Sequence, residues 1–171
     1  GDIESSIADF EAGTKLRREL YANNAMPDAS LLASSIMNLG NVYAQNERAE
    51  EGLKLCNEAV EFCLTLHTMH QLPNVDYIST ALIYRGNCYK ALGQTDMALK
   101  DFEEAVVRRE NLLQNGELPR IHSLLWALEV RANLHAQLQH KQQALADYQK
   151  ILFHIDQYDD TDLTIDLELV E

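Results

Sequence analysis

Three prolines stand at Pro27, Pro73 and Pro119, 46 residues apart and then 46 again. Free placement of three residues rarely gives equal gaps. A fixed period of this size marks a repeat architecture, in which one supersecondary unit recurs and buries its apolar face only against its neighbours.

At an offset of 46 other residues fall into register. Asn41, Asn87 and Asn133 share one column, and Leu53, Leu99 and Leu145 another. Small residues fill three more columns: Gly40, Gly86 and Ala132; Gly52, Ala98 and Ala144; and Gly13, Ala59 and Ala105. A bulky column runs through Phe10, Cys56, Phe102 and Tyr148. Recurring small and large positions are what interlocking helices require. Apolar residues recur at three- and four-residue spacing, as in Leu31, Ile36, Leu39 and Val42, with no sustained alternation before residue 160. The pattern predicts an all-α fold of about seven helices, over 2–22, 28–45, 48–70, 74–91, 94–114, 120–137 and 140–157, paired as antiparallel hairpins. Each proline is expected to open the first helix of a hairpin.

Composition narrows the class. Hydrophobic residues at 46% and charged residues at 24% are globular values, so a wholly disordered chain is excluded. No apolar run approaches the ~20 residues that span a bilayer, so membrane insertion is not expected. Residues 1–30 also lack the basic-then-apolar order of a secretory signal. Three cysteines cannot all pair within one chain, which makes a reducing, cytoplasmic compartment the default expectation. The net charge of -13 repels nucleic acid and anionic lipid. Seven of the 27 acids lie in residues 156–171, which hold no base.

The second unit reads Leu82, Arg85, Gly86, Tyr89, Ala98 and Phe102. The first reads Ile36, Leu39, Gly40, Tyr43, Gly52 and Cys56, and the third Leu128, Arg131, Ala132, His135, Ala144 and Tyr148. In this register the chain resembles the tetratricopeptide family, W-x2-L-G-x2-Y followed by A-x3-F. The resemblance covers residues 1 to about 157 and implies a right-handed solenoid of helix hairpins. It departs from the family in its period, 46 instead of 34, and in its prolines, which in the family close the second helix. Long-repeat relatives such as kinesin light chains lengthen both helices in the same way. The expected organisation is a second-helix half-repeat over 1–22, repeats at about 27–72, 73–118 and 119–157, and an acidic segment over 158–171. That segment is read as the start of a further first helix, as an extended acidic-apolar tail, or as disordered. Beginning and ending inside a repeat is expected of a piece of a longer solenoid.

In tetratricopeptide proteins the first helices line a concave groove that holds partner peptides. By position the resemblance places Ser34, Met37, Asn38, Asn41 and Gln45 there, then Thr80, Ile83, Tyr84, Asn87 and Lys90, then Trp126, Glu129, Val130, Asn133 and Gln137. An asparagine amide both donates and accepts, so a ladder of three suits a peptide backbone; the same residues also serve to tie helix to helix. Met37, Ile83, Tyr84 and Trp126 are the expected apolar pockets. Relatives that clamp a terminal carboxylate need groove cations, and here Met37, Tyr84, Trp126 and Val130 stand in those positions with only Asn41 retained, which disfavours that function.

Cys63, His67 and His70 fall at i, i+4 and i+7, a spacing able to hold a metal, though the bland expectation is a partly exposed helix face. Cys56 and Cys88 sit in core columns. Arg17, Arg18, Arg108 and Arg109 are expected on a solvated outer face of the second helices, paired with Glu19 or Glu104. No nucleophile elbow, phosphate loop or HExxH motif occurs. The acids Glu129 and Asp76 lack a partner that would suit them to proton transfer, so neither enzymatic activity nor a cofactor is expected. The expected function is a scaffold that binds a peptide or partner helix in its groove. The alternatives are self-association through the solenoid ends and a regulatory or sensor domain of a larger protein.

Overall fold

The computed structural model describes residues 3–157. The segment over 158–171, for which helix start, extended tail and disorder were the expectations, lies outside them. Seven helices follow one another: α1 (Ile3–Ala22), α2 (Ser30–Gln45), α3 (Ala49–Thr68), α4 (Asp76–Ala91), α5 (Thr95–Gln114), α6 (Ile121–Gln137) and α7 (Lys141–Gln157). Their bounds match the periodicity to within two residues.

The prolines do not open the helices. Each lies two or three residues upstream of a first helix, fixing the approach of the chain. The residue after the proline then starts the helix in the first two hairpins. Asp28 Oδ1 accepts from the Ser30 amide at 2.8 Å, and Asn74 Oδ1 from the Asp76 amide at 2.9 Å. These bonds satisfy an N-terminal amide that has no partner within the helix. The third hairpin has Arg120 at this point and lacks the device.

Helix ends follow the same period. Asn24, His70 and Gly116 end the second helices, and Glu47, Gly93 and Gln139 the first, all with φ between 52° and 73°. At each the following amide reaches back to a carbonyl five residues earlier, as Arg48 does to Tyr43 and Gln94 to Tyr89, both within 3.0 Å. A left-handed residue lets the chain close this bond and turn sharply.

Sequential helices pack as hairpins, α2 on α3, α4 on α5 and α6 on α7, and each second helix also meets the next first helix. The core repeats with the period. Leu32, Ile78 and Leu124 form one buried column, and Ile36, Leu82 and Leu128 another. Within a hairpin, contact is closest at the small columns: a Cβ on Gly86 would stand 2.8 Å from Cδ1 of the Phe102 ring, and one on Gly52 would strike the Gly40 carbonyl.

An ion-pair column ties the two helices of the second hairpin together and, one period on, the two helices of the third. Arg85 grips Asp101 through two bonds of 2.7 Å, and 46 residues on Arg131 grips Asp147 at 2.8 and 2.6 Å. The first hairpin carries Leu39 and Leu55 in these positions. Leu39 is buried there and Leu55 partly buried against the core.

Candidate functional site

First helices α2 and α4 pack side by side, whereas α3 and α5 do not pack on each other, so the first two hairpins close toward the side of their first helices, the inner face of this step. That inner face is the candidate site, and its two steps are built differently.

At the α2–α4 step the helices are in contact. Asn87 Nδ2 donates to Asn41 Oδ1 at 3.1 Å, so these two asparagines tie helix to helix. Met37 and Ile83, expected as pocket residues, are 2% and 0% exposed and belong to the core. The close approach of α2 and α4 is what covers them. A shallow cleft of about 150 Å³ remains near the helix starts, between Ser34 and Asn38 of α2 and Tyr77 and Thr80 of α4, with Asp76 on its wall and Met37 on its floor.

At the α4–α6 step the helices do not pack in this way. Between them lies the guanidinium of Arg109, reaching across from α5. Its Nε donates to Asp76 Oδ1 at 2.6 Å, Nη2 to Thr80 Oγ1 at 2.8 Å, and Nη1 to the Ser123 carbonyl of α6 at 2.7 Å. Arg109 is 1% exposed. The expectation of a solvated outer face fails here, because the column that holds Arg109 points inward; in the first hairpin it holds buried Cys63. Where the column holds the small Cys63, α2 and α4 are in contact; where it holds Arg109, α4 and α6 are not packed in this way. Arg108 is the exposed neighbour, paired with Glu104 at 2.8 Å. Arg18 pairs not with Glu19 but with Glu58 of α3, and Arg17 donates to Ser35 of α2, so both connect helices.

Above Arg109 sits Trp126, its ring centre 5.4 Å from the guanidinium carbon, a cation–π distance. Tyr84 meets Trp126 edge to face, 5.7 Å between centroids, and bridges α4 to α6. Both rings are half-buried. Burial pushes the Tyr84 phenol above its usual range.

The remaining groove candidates surround this pair. Asn38 and Val130 are half-buried, and Lys90, Glu129 and Asn133 are exposed. Asn133 does not extend the asparagine ladder; its Oδ1 accepts from Tyr148 of α7 at 2.7 Å. The opened α4–α6 step leaves Asn133 without the partner that Asn41 gives Asn87.

Cys63, His67 and His70 are not brought together. Cys63 faces the core, His67 is exposed on α3, and His70 lies beyond the helix with φ 56°. Among the described residues no group of three metal-ligating side chains forms. Cys56 and Cys88 are buried, as their columns require. Asp76 is held by Arg109 and not poised as a base.

Arg109 and Asp76 build this face although neither was among the residues expected on it. Their signal was available in the columns, where Cys63 gives way to Arg109 and Ser30 to Asp76, since a cation and an anion enter the same unit together.

Two tetratricopeptide repeat family models match the chain, over residues 32–72 and 79–112. The chain therefore carries tetratricopeptide repeats between 32 and 112. Both models describe a repeat and not a catalytic domain. No curated protein and no solved structure matches at a significant level. No helix among the described residues is long and apolar enough to cross a membrane.

Proposed function

We propose that the chain is a protein–protein interaction scaffold that binds a peptide or partner helix on the inner face of α2, α4 and α6. In this reading α1 and the α6–α7 hairpin are further units of one long-period array of 46 residues. One observation carries the proposal: Tyr84 and Trp126 bridge the opened α4–α6 step as half-exposed aromatic rings on a buried ionic floor. Rings held from below and open above are the surface type that anchors partners. The side chains of Asn38, Lys90 and Glu129 make no hydrogen bond or ion pair among the described residues, which leaves their polar groups available to a ligand.

The proposal is tested by capture. The immobilised protein is compared with a Tyr84→Ala, Trp126→Ala variant of equal helicity, and partners identified by mass spectrometry on the first must be absent from the second. Equal recovery on both would reject the groove.

A second reading, self-association, is favoured by the end faces. Phe10 of α1 is 41% exposed, whereas its column mate Phe102 is fully buried; Leu152 of α7 is 61% exposed where Val106 is 1%. Among the described residues no first helix covers these surfaces as one does in the middle units. A light-scattering mass that rises with concentration supports this reading, and a constant monomer mass rejects it.

A further inference from the structure

Cys56 of α3 and Cys88 of α4 belong to different hairpins, yet their Sγ atoms lie 3.6 Å apart. Neither exposes any surface. The sulfurs occupy the seam where α2, α3 and α4 meet: Cys88 Sγ is 3.7 Å from the Gly40 carbonyl, and Cys56 Sγ 4.0 Å from that of Met37. Two glycines make the seat. A Cβ at Gly40 would stand 2.6 Å from Cys56 Sγ, and one at Gly52 3.3 Å from Cys88 Sγ. A disulfide holds its sulfurs at about 2.05 Å, so about 1.5 Å of closure separates this thiol pair from a covalent bond.

We propose that Cys56 and Cys88 are a redox pair whose intramolecular disulfide staples the first hairpin to the second, with a peroxide as oxidant. Cys88, as thiolate, attacks one peroxide oxygen; the O–O bond breaks, and the departing oxygen takes up the thiol proton and leaves as water. The Cys56 sulfur then attacks the sulfenic sulfur of Cys88, the S–O bond breaks, and the second water leaves with the Cys56 proton. Two thiols thereby give up two electrons to one hydrogen peroxide, which becomes two waters. The order follows from the environment. The hydrogen bond shared by the two sulfurs holds the Cys88 thiol below its ordinary value against the opposing effect of burial and pushes the Cys56 thiol up. Burial makes reaction depend on local opening of the seam, so the bond forms slowly and a thiol reductant reverses it.

The staple bears on the inner face. Cys88 directly follows Asn87, whose amide bonds Asn41. Tying α4 to α3 at this level fixes the α2–α4 step, a consequence that rests on the groove reading; the disulfide itself does not.

The test uses the whole chain as wild type and as Cys63→Ser, each shown folded by far-UV circular dichroism. After dosing with hydrogen peroxide, the protein is denatured, alkylated and weighed. The wild type is expected to fall from three alkylated thiols to one, and Cys63→Ser from two to none. Dithiothreitol restores both counts, and peptide mapping returns a linked Cys56–Cys88 pair. In Cys88→Ser the Cys56 thiol remains alkylatable. Undiminished thiol counts, a linkage through Cys63, unlinked sulfinic acids or a covalent dimer would each overturn the proposal. Equal partner capture by the wild type and the groove variant, with the disulfide formed in both, would reject the groove reading and leave the redox pair standing.

Discussion

Arg109 of α5 holds Asp76 of α4 through a 2.6 Å bond from Nε in a site 1% exposed on the arginine side. In the first hairpin the same two columns hold Cys63 and Ser30, and the Ser30 hydroxyl is buried without a partner. These two exchanges coincide with a closed helix step at α2–α4 and an open one at α4–α6.

Arg109→Cys alone strands the Asp76 carboxylate and should cost about 3–5 kcal/mol, the range for breaking a buried ion pair. Arg109→Cys with Asp76→Ser installs the pair of the first hairpin and should recover most of that loss. Urea unfolding of the three proteins checks the order. A double variant no more stable than the single would mean that Arg109 acts by packing and not by charge.

The Arg85–Asp101 pair makes a parallel case with a different answer in the neighbouring unit. Asp101 is 3% exposed at its side chain and Arg85 22%. Arg85→Leu should cost about 3 kcal/mol because it leaves the acid buried and alone. Arg85→Leu with Asp101→Leu copies Leu39 and Leu55 and should lie within about 1 kcal/mol of wild type, since an apolar pair of similar volume commonly replaces a buried ion pair without loss. Chemical denaturation with an unchanged m-value is the appropriate readout.

The helix ends make a third prediction. Glu47 and Gln139 adopt φ of 61° and 62°, where side chains crowd the backbone, while Gly93 occupies the equivalent column at 73°. Glu47→Gly and Gln139→Gly should each stabilise by about 0.5–1 kcal/mol. Gly93→Ala should destabilise by a similar amount, although a Cβ there has open space around it. Thermal unfolding of the three variants separates conformational strain from contact.

How far the fold was legible follows from these same residues. The period placed all seven helices, because Pro27, Pro73 and Pro119 recur with the core columns. It did not place the caps, since only Gly93 and Gly116 betray a left-handed residue by type, and Asn24, Glu47, His70 and Gln139 are forced into that shape by the turn. Of the residues expected on the inner face, Tyr84 and Trp126 are half-buried and meet between α4 and α6, whereas Met37 and Ile83 lie in the core at the α2–α4 contact. A column names which residues are equivalent; how far two helices stand apart depends on what a neighbouring column inserts between them.

Stability should also fall on mild acidification. Burial is the main cause that holds His135 and His154 below the ordinary value of 6.5. Asp147 opposes it at His135, where Arg131 and His140 reinforce it, and Glu110 opposes it at His154, where Lys150 reinforces it. A histidine lowered in the folded state binds its proton more readily when unfolded. Its contribution is therefore complete above pH 6.5 and is lost as pH falls through the folded value. His135→Gln with His154→Gln should flatten the unfolding midpoint between pH 7 and pH 5; an unchanged slope would contradict the assignment.

Trp126 is the chain's single tryptophan, and it stands on the inner face. A peptide selected from a displayed library for binding to the whole chain should, on titration, shift the Trp126 emission saturably, and Tyr84→Ala should weaken that binding at least tenfold. A peptide that binds both proteins equally and leaves the Trp126 emission unchanged would contradict the concave site.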